Sequence, residues 1–423
     1  MLGASQFDRA TATYGLAHFG KSLFWFISEI LFAFYLSEIC HVPAAYMGII
    51  LAVGLLCGAT ADACVGRWFT FNLSNANGAG RLQLTGAFAS AITIVLFFAT
   101  SIVPETLRVF YATALSICFR GCYALYDLPQ NALMSIATVS DTARSTVATT
   151  RAFFSGLASF IVCLSTGYLL SEDGDSSATQ RFISIAFGVS LIAVLSAFIL
   201  QRQLRNIPGA GIQSPEKVPP MSNTRSSNFP SAIWIIVGMC LATAMSGSVF
   251  NKLEPYYAAY VIDTPFWGGI TLAGLAAGQT VSQPVWGYVS RRVSRQQHIC
   301  FCAGMIIVSA GLFWLFAGLP TVVLPCAVLL GAAFGGMGMV QWATFADQVA
   351  KLPAYQTGRA FGVLTAAIKG GLAVTVLSVG LGLMAFDYRG TQSGGVVALM
   401  CLSVITGASI VLALVHLLSL RRL

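Results

Sequence analysis

Residues 201–228 read QRQLRNIPGAGIQSPEKVPPMSNTRSSN, a stretch rich in Pro, Ser, Asn and charge inside a chain that is otherwise apolar. That composition reads as a solvated linker, and it divides the 423 residues into two parts of nearly equal length. Outward from it, on both sides, lie long apolar runs. Hydrophobic residues make up 57% of the chain and charged residues 9%, against roughly 25% charged in soluble domains. The mean hydropathy is +0.78. At 1.5 Å per residue, about 20 apolar residues cross a hydrocarbon core about 30 Å thick. Runs of this length fall near 13–40, 43–66, 82–103, 107–134, 145–170, 181–201, 230–262, 265–290, 298–319, 321–349, 357–386 and 395–419. The expected fold is an all-α membrane protein of twelve transmembrane helices in two six-helix halves, 1–200 and 230–423, joined by the linker 201–229. A soluble enzyme is excluded by this composition, and no Ser/His/Asp, HExxH or Walker pattern is present.

An even number of spans puts both termini on one side, and most basic residues fall there: Arg9, Arg67, Arg81, Arg144, Arg202, Arg205, Lys217, Arg225, Arg291, Arg292, Arg295, Lys351, Arg359, Arg421 and Arg422. Arg108, Arg181 and Arg389 lie opposite, beside the acidic loop Glu172, Asp173, Asp175. The positive-inside rule then orients the termini to the cytoplasm. The net charge of +8 is an insertion signature, and no basic stripe interleaved with aromatics points to nucleic acid. The opening MLGASQFDRATATYG lacks the features of a signal peptide, so no cleaved leader is expected. The 11 cysteines show no paired CxxC and read as small buried hydrophobes. No metal site or cofactor is expected.

The remaining basic residues, Lys21, Arg120, Arg151, Lys252 and Lys369, and the acids Glu29, Asp62, Asp127, Glu254 and Asp347, fall inside apolar runs. A charge at bilayer depth costs about 2.5–3.5 kcal/mol on insertion scales and needs a partner or a function. In the first span Tyr14, His18, Lys21, Trp25 and Glu29 recur at three and four residues, which sets them on one helical stripe. Arg120, Tyr123, Asp127 and Asn131 do so in the fourth, with Pro129 loosening the helix beside the carboxylate. Arg151, Ser155 and Ser159 form a shorter stripe in the fifth, and Lys369 follows Thr365 by one turn in the eleventh. Two readings stand: interior ion pairs that fix helix register, or a site for a substrate and a cation. Lys252 and Glu254, two apart, face different ways and are not expected to pair.

Features recur about 220 residues apart: the loop GRWFTFNLSNANGAGR after the second span corresponds to GYVSRRVSRQQ after the eighth, and Arg151 to Lys369. Two six-span repeats about a central linker are the plan of the major facilitator superfamily, whose site lies near the bilayer midplane. Within it, YGLAHFGK (14–21), YDLPQNAL (126–133), RAFFSGLAS (151–159) and AAIKGGLA (366–373) resemble the glycoside-pentoside-hexuronide:cation symporter family. The resemblance implies roles for individual positions. Asp127 matches a carboxylate that contacts sugar and helps hold the cation, and Asp62 a second carboxylate of the cation site. Arg151 matches an arginine of the sugar cavity, Lys369 a lysine near the cation site, and Tyr123 a cavity tyrosine. Lys21 and Arg120 complete the expected set.

The sequence departs from the family pattern at three positions. Ser22 stands where sugar-specific members carry an aspartate, Gly58 where the sodium site has a second acid, and Asn131 where an aromatic is usual. Fewer hard oxygen anions make a poor sodium cage, whereas a lone carboxylate still exchanges a proton, so H+ is expected over Na+. GATADACVGR (58–67) also resembles the superfamily's loop motif, in which Asp62 would latch a gate with Arg67. Arg291, Arg292, Asp347 and Arg359 would form the same layer in the other half. Asp62 therefore reads as either a coupling residue or a latch. The implied function is alternating-access transport of a small polar solute, a hexuronide, another organic anion or a peptide being the candidates, with the direction of transport left open. Alternatives are an exporter of an amphipathic compound or lysolipid, and a non-transporting sensor. The expected partners are a small-molecule substrate and the lipid bilayer, and the expected state is a monomer in the plasma membrane, the inner membrane of a bacterium.

Overall fold

The structure, a computed structural model, describes residues 4–68, 76–136, 141–169, 175–205, 229–262, 264–349, 351 and 354–420. Most of the expected linker lies outside them. The described residues form helices and their connections, as lipid requires of a chain that must satisfy its own backbone polar groups. The helices are α1 (Ala4–Phe34), α2 (Ala44–Trp68), α3 (Ala76–Phe97), α4 (Glu105–Ile136), α5 (Asp141–Leu169) and α6 (Asp175–Arg205), then α7 (Ser231–Tyr257), α8 (Pro265–Val281, resuming after Ser282 as Gln283–Val289), α9 (Arg295–Leu315), α10 (Pro320–Val349), α11 (Ala354–Met384) and α12 (Gly394–Leu420). Among the described residues, ten are long and apolar enough to cross a membrane. The other two are α5, whose apolar part is Phe153–Leu169 but whose 29 residues extend about 43 Å, and the interrupted α8.

Helix ends follow local chemistry. Ser294 caps α9 by accepting from Gln297 N at 3.3 Å, and Gln297 Oε1 accepts from Ser294 N at 3.0 Å, a reciprocal box that satisfies two free donors. Pro265 starts α8 after extended Thr264, where its missing N–H costs nothing. The helix α3 begins six residues before the expected span and ends six before its end, because ANGAGR (76–81) is helical ahead of the apolar part and Pro104 halts regular structure after a short 3₁₀ turn at Thr100–Ile102. Both α1 and α7 finish in a π-helical turn, Tyr35–Ile39 and Ala258–Ile262.

Packing repeats with a period of six helices. The extensive contacts α1–α5, α1–α6, α2–α4, α3–α4 and α3–α6 recur as α7–α11, α7–α12, α8–α10, α9–α10 and α9–α12, and the two sets meet through α5–α8, α2–α11 and α1–α7. We call the side where α1 begins and α12 ends the terminal face, and the other the far face. Near the far face the crossing helices touch backbone to backbone. A methyl group on Gly380 of α11 would lie 2.5 Å from the Ala44 carbonyl oxygen of α2, and one on Gly269 of α8 would lie 2.8 Å from the Gly167 nitrogen of α5. Small residues permit such approach in lipid, where dispersion rather than water expulsion drives association. Phenylalanines serve both surfaces: Phe88, Phe110 and Phe187 face outward, while Phe32, Phe97, Phe98, Phe119 and Phe182 stack between helices.

Candidate substrate and cation site

The polar stripes of α1 and α4 meet as an antiparallel ladder. Tyr14 OH donates to the Gln130 carbonyl at 3.1 Å, and His18 Nδ1 lies 3.3 Å from Gln130 Oε1. One turn on, Lys21 Nζ donates to Asp127 Oδ1 at 2.6 Å and to Asn131 Oδ1 at 3.0 Å, and Asn131 Nδ2 donates to the same Asp127 oxygen at 3.0 Å. The rings of Trp25 and Tyr123 come next, 6.0 Å apart, with the Arg120 guanidinium 5.3 Å from the Trp25 centroid. Arg120 Nη2 then reaches Glu29 Oε1 at 2.8 Å. Each step of three or four residues on α1 answers a similar step backwards on α4, the register that two 3.6-residue helices running oppositely produce. The two backbones stay apart, because α1 packs on α5 and α6 and α4 on α2 and α3, so long side chains span the interval.

Three groupings emerge where one shared pocket was expected. The first is Lys21–Asp127–Asn131. Arg151 of α5 makes no ion pair or hydrogen bond among the described residues, yet acts through space on Tyr14, His18, Lys21 and Tyr123. The second is centred on Glu29, which holds Arg120 and also Lys252 of α7, whose Nζ lies 2.9 Å from Glu29 Oε2 and 2.9 Å from the Glu29 carbonyl. Lys252 and Glu254 do not pair; Glu254 has no hydrogen-bond partner at either oxygen. The third is the ion pair of Lys369 on α11 with Asp62 on α2, about a quarter exposed at each end. Asp127 is therefore held by Lys21, not by Arg151 or Lys369.

A cavity of about 290 Å³ opens between the two sets of helices, walled by Trp25 and Glu29 on α1 and by Thr243, Ser248, Asn251, Gln279 and Gln341 opposite. Gln341 Nε2 is spent on the Met239 carbonyl and Thr243 Oγ1, whereas the amides of Asn251 and Gln279 make no side-chain hydrogen bond among the described residues. No charge marks this second wall, so hydropathy offered no signal; only its polar positions at helical spacing on α7, Thr243, Gly247, Ser248 and Asn251, could have flagged it. Lys21, Arg120, Arg151 and Lys252 against Glu29 and Asp127 leave the α1–α4–α5–α7 groups with an excess of two positive charges.

The layer expected to latch the terminal face is arranged differently. Asp347 pairs with Arg295 at 3.2 Å, not with Arg291 or Arg292. Arg291 Nε donates to Gly287 O, and Arg292 lies over the Tyr288 ring. Both stay on their own segment because the loop after α8 is too short to carry them across. The side chains of Arg67 and Arg359 lie outside the described residues, and Asp62 is spent on Lys369. The closed layer is at the far face, where the sequence reading had no latch. Glu38, in the π-turn of α1, accepts from Tyr260, from Tyr388 at 2.8 Å, and from Arg389 Nε at 3.0 Å. Arg389 Nη2 adds Ser37 O at 3.1 Å, and Ser37 Oγ meets Tyr256 OH at 2.6 Å. The bond to Glu38 pushes Arg389 further above the usual arginine range, and burial pushes the Tyr388 hydroxyl up, so both stay protonated across the physiological range.

Comparisons with known proteins agree with this architecture. The chain is 27% identical over 161 residues to the Uncharacterized symporter YjmB of Bacillus subtilis (strain 168), a match covering 37% of this chain and 35% of that protein. In fold it is similar to a bacterial homologue of the iron transporter ferroportin in an inward-facing state, with a TM-score of 0.70 at 11% identity over 98% of this chain and 100% of that one. It is likewise similar to the xylose transporter XylE from E. coli, with a TM-score of 0.68 at 13% identity over 95% and 98%. The sequence profile described as MFS/sugar transport protein matches residues 13–423. With twelve helices among the described residues packed in repeating sixes and a cavity between the two sets, the chain is a multi-pass membrane protein that belongs to the MFS/sugar transport protein family.

Proposed function

We propose that the protein is a secondary active symporter that carries a small anionic sugar, of the sugar-acid class, together with H+ by alternating access. The observation that carries this reading is the asymmetry of the cavity. The groups around Lys21 and Glu29 carry an excess of positive charge, with Arg151 beside them unpaired among the described residues, and the cavity wall opposite Glu29 offers the amides of Asn251 and Gln279, which make no side-chain hydrogen bond among those residues. A carboxylate-bearing polyol meets both: the guanidinium takes its carboxylate and the amides take its hydroxyls. Binding removes charge from a site that must pass through a dry intermediate.

The preference for H+ over Na+ rests on the same groups. Asp62 and Asp127 each already face an ammonium, which stands where a hard cation would need several oxygens. Protonating Asp62 releases Lys369 and with it a bond between the two halves, which ties the ion to the rocking motion. By the distribution of Lys and Arg, the terminal face is cytoplasmic and the protein sits in the plasma membrane as a monomer; the sealed far face then makes this an inward-facing form. The test is uptake of labelled D-glucuronate into proteoliposomes. Accumulation is expected under an outside-acid gradient, with loss on collapse of that gradient and in Asp127→Asn. Accumulation that needs a sodium gradient, or full coupled uptake by Asp127→Asn, refutes it.

A further inference from the structure

Glu254 is the one acidic side chain of α7 that the cavity groups do not use. It is 0% exposed, and neither carboxyl oxygen has a hydrogen-bond partner. It stands one turn beyond Asn251, which lines the cavity, on the way to the far face, and Pro255 follows it inside the helix. Its neighbour across the α5–α7–α8 seam is Cys163 of α5. This is the level at which Gly269 of α8 touches Gly167 of α5.

Among the described residues the surroundings supply no counter-charge. Over Pro265–Val281, α8 carries no titratable residue. From α5 comes only the Cys163 thiol, and on α7 itself Tyr257, which in turn faces Cys401 of α12. Glu29 of α1 and Lys252 of α7 bind one another. Lys369 of α11 is held by Asp62, and Asp347 of α10 by Arg295. An ionised carboxylate without water, donor or cation costs far more than uptake of a proton. In this sealed form the group is therefore the neutral acid.

The geometry points to Glu254 as a proton-binding site governed by the far gate: it holds H+ while α5, α7 and α8 are closed around it, and releases H+ to water of the far side when they part. This rests on the alternating-access reading above and adds a proton site that none of the Asp62, Asp127 and Lys369 groups supplies. The balance is simple: on opening, the carboxyl O–H proton passes to water and the carboxylate is hydrated; on closing, one proton returns before the seam dries. The proton thus leaves to and returns from the far side as the gate opens and recloses, so far-side acidity favours the sealed form.

Infrared spectroscopy of the full-length protein in lipid nanodiscs reads this group directly. At mildly alkaline pH the wild type is expected to show the carbonyl stretch of a protonated, unbonded carboxyl, absent from Glu254→Gln. In the double variant Glu38→Gln, Arg389→Ala, which removes the far-face network, the band is expected to fall as a carboxylate stretch rises. A wild type without the band, a band that survives Glu254→Gln, or an undiminished band in the double variant overturns the proposal. D-glucuronate uptake separates it from the symporter reading. A band that behaves as expected in a protein that moves no solute supports the proton site and removes the symporter reading. Glucuronate uptake by Glu254→Gln with a dependence on external pH equal to wild type removes the proton site and leaves symport standing.

Discussion

Replacing Glu38 by Gln should release the far face. Glu38 accepts from two tyrosines and from Arg389 through both Nε and Nη2, and these donors come from α7's π-turn and the loop before α12, across from α1. The amide keeps the shape but loses the charge and turns one acceptor oxygen into an NH2 donor, so the two bonds to that oxygen are lost and the other two weaken, a loss of up to about 1 kcal/mol apiece. Arg389 is half exposed, and water screens its share. The net loss is about 2 kcal/mol, which moves the ratio of sealed to opened far face by roughly 30-fold. Hydrogen–deuterium exchange of the peptides covering 30–42, 254–262 and 385–394 should accelerate accordingly, while those of the α3–α4–α6 core stay slow. A folded Glu38→Gln protein with wild-type exchange in all three peptides would show that the network does not hold the gate.

Arg151→Gln should weaken D-glucuronate binding about 10- to 100-fold, the worth of a charge-assisted bond, and leave the melting temperature of the ligand-free protein unchanged because Arg151 has no ion-pair or hydrogen-bond partner among the described residues; calorimetry and thermal shift decide. Asp62→Ala and Lys369→Ala should each destabilise by about 2 kcal/mol, less than a fully buried pair, and the double variant by less than either; strictly additive unfolding energies would deny the pairing. Gly380→Val should force α11 off the Ala44 carbonyl and raise exchange at the α2–α11 seam near the far face, and an unaltered seam would mean the approach is looser than described.

Topology was legible in the sequence because lipid leaves few choices: a run of 20 apolar residues has to cross, and most helix boundaries fell within a few residues, the starts of α1, α3 and α6 being earlier because polar residues prolong those helices past their apolar parts. The stripe Tyr14–His18–Lys21–Trp25–Glu29 was legible for the same geometric reason. Partners were not. That Glu29 holds Lys252, Lys21 holds Asp127 and Glu38 holds Arg389 depends on how helices remote in sequence are laid side by side, which periodicity within one helix cannot report. The separation of Lys252 from Glu254 was readable, two residues being 200° apart, but the isolation of Glu254 was not. The amides of Asn251 and Gln279 escaped notice because a neutral polar group barely disturbs hydropathy.

The π-helical turns that end α1 and α7 have a practical consequence. Each accommodates one surplus amino acid relative to a regular helix, and Glu38 and Tyr260 ride on these loops of excess backbone. Deleting a single residue from Tyr35–Ile39 would let α1 run on uniformly and swing everything beyond the deletion by about 100°, carrying the carboxylate out of reach of Tyr388 and Arg389. Shortening the chain by one position would therefore unlatch the far face while leaving the Glu38, Tyr388 and Arg389 side chains themselves unaltered.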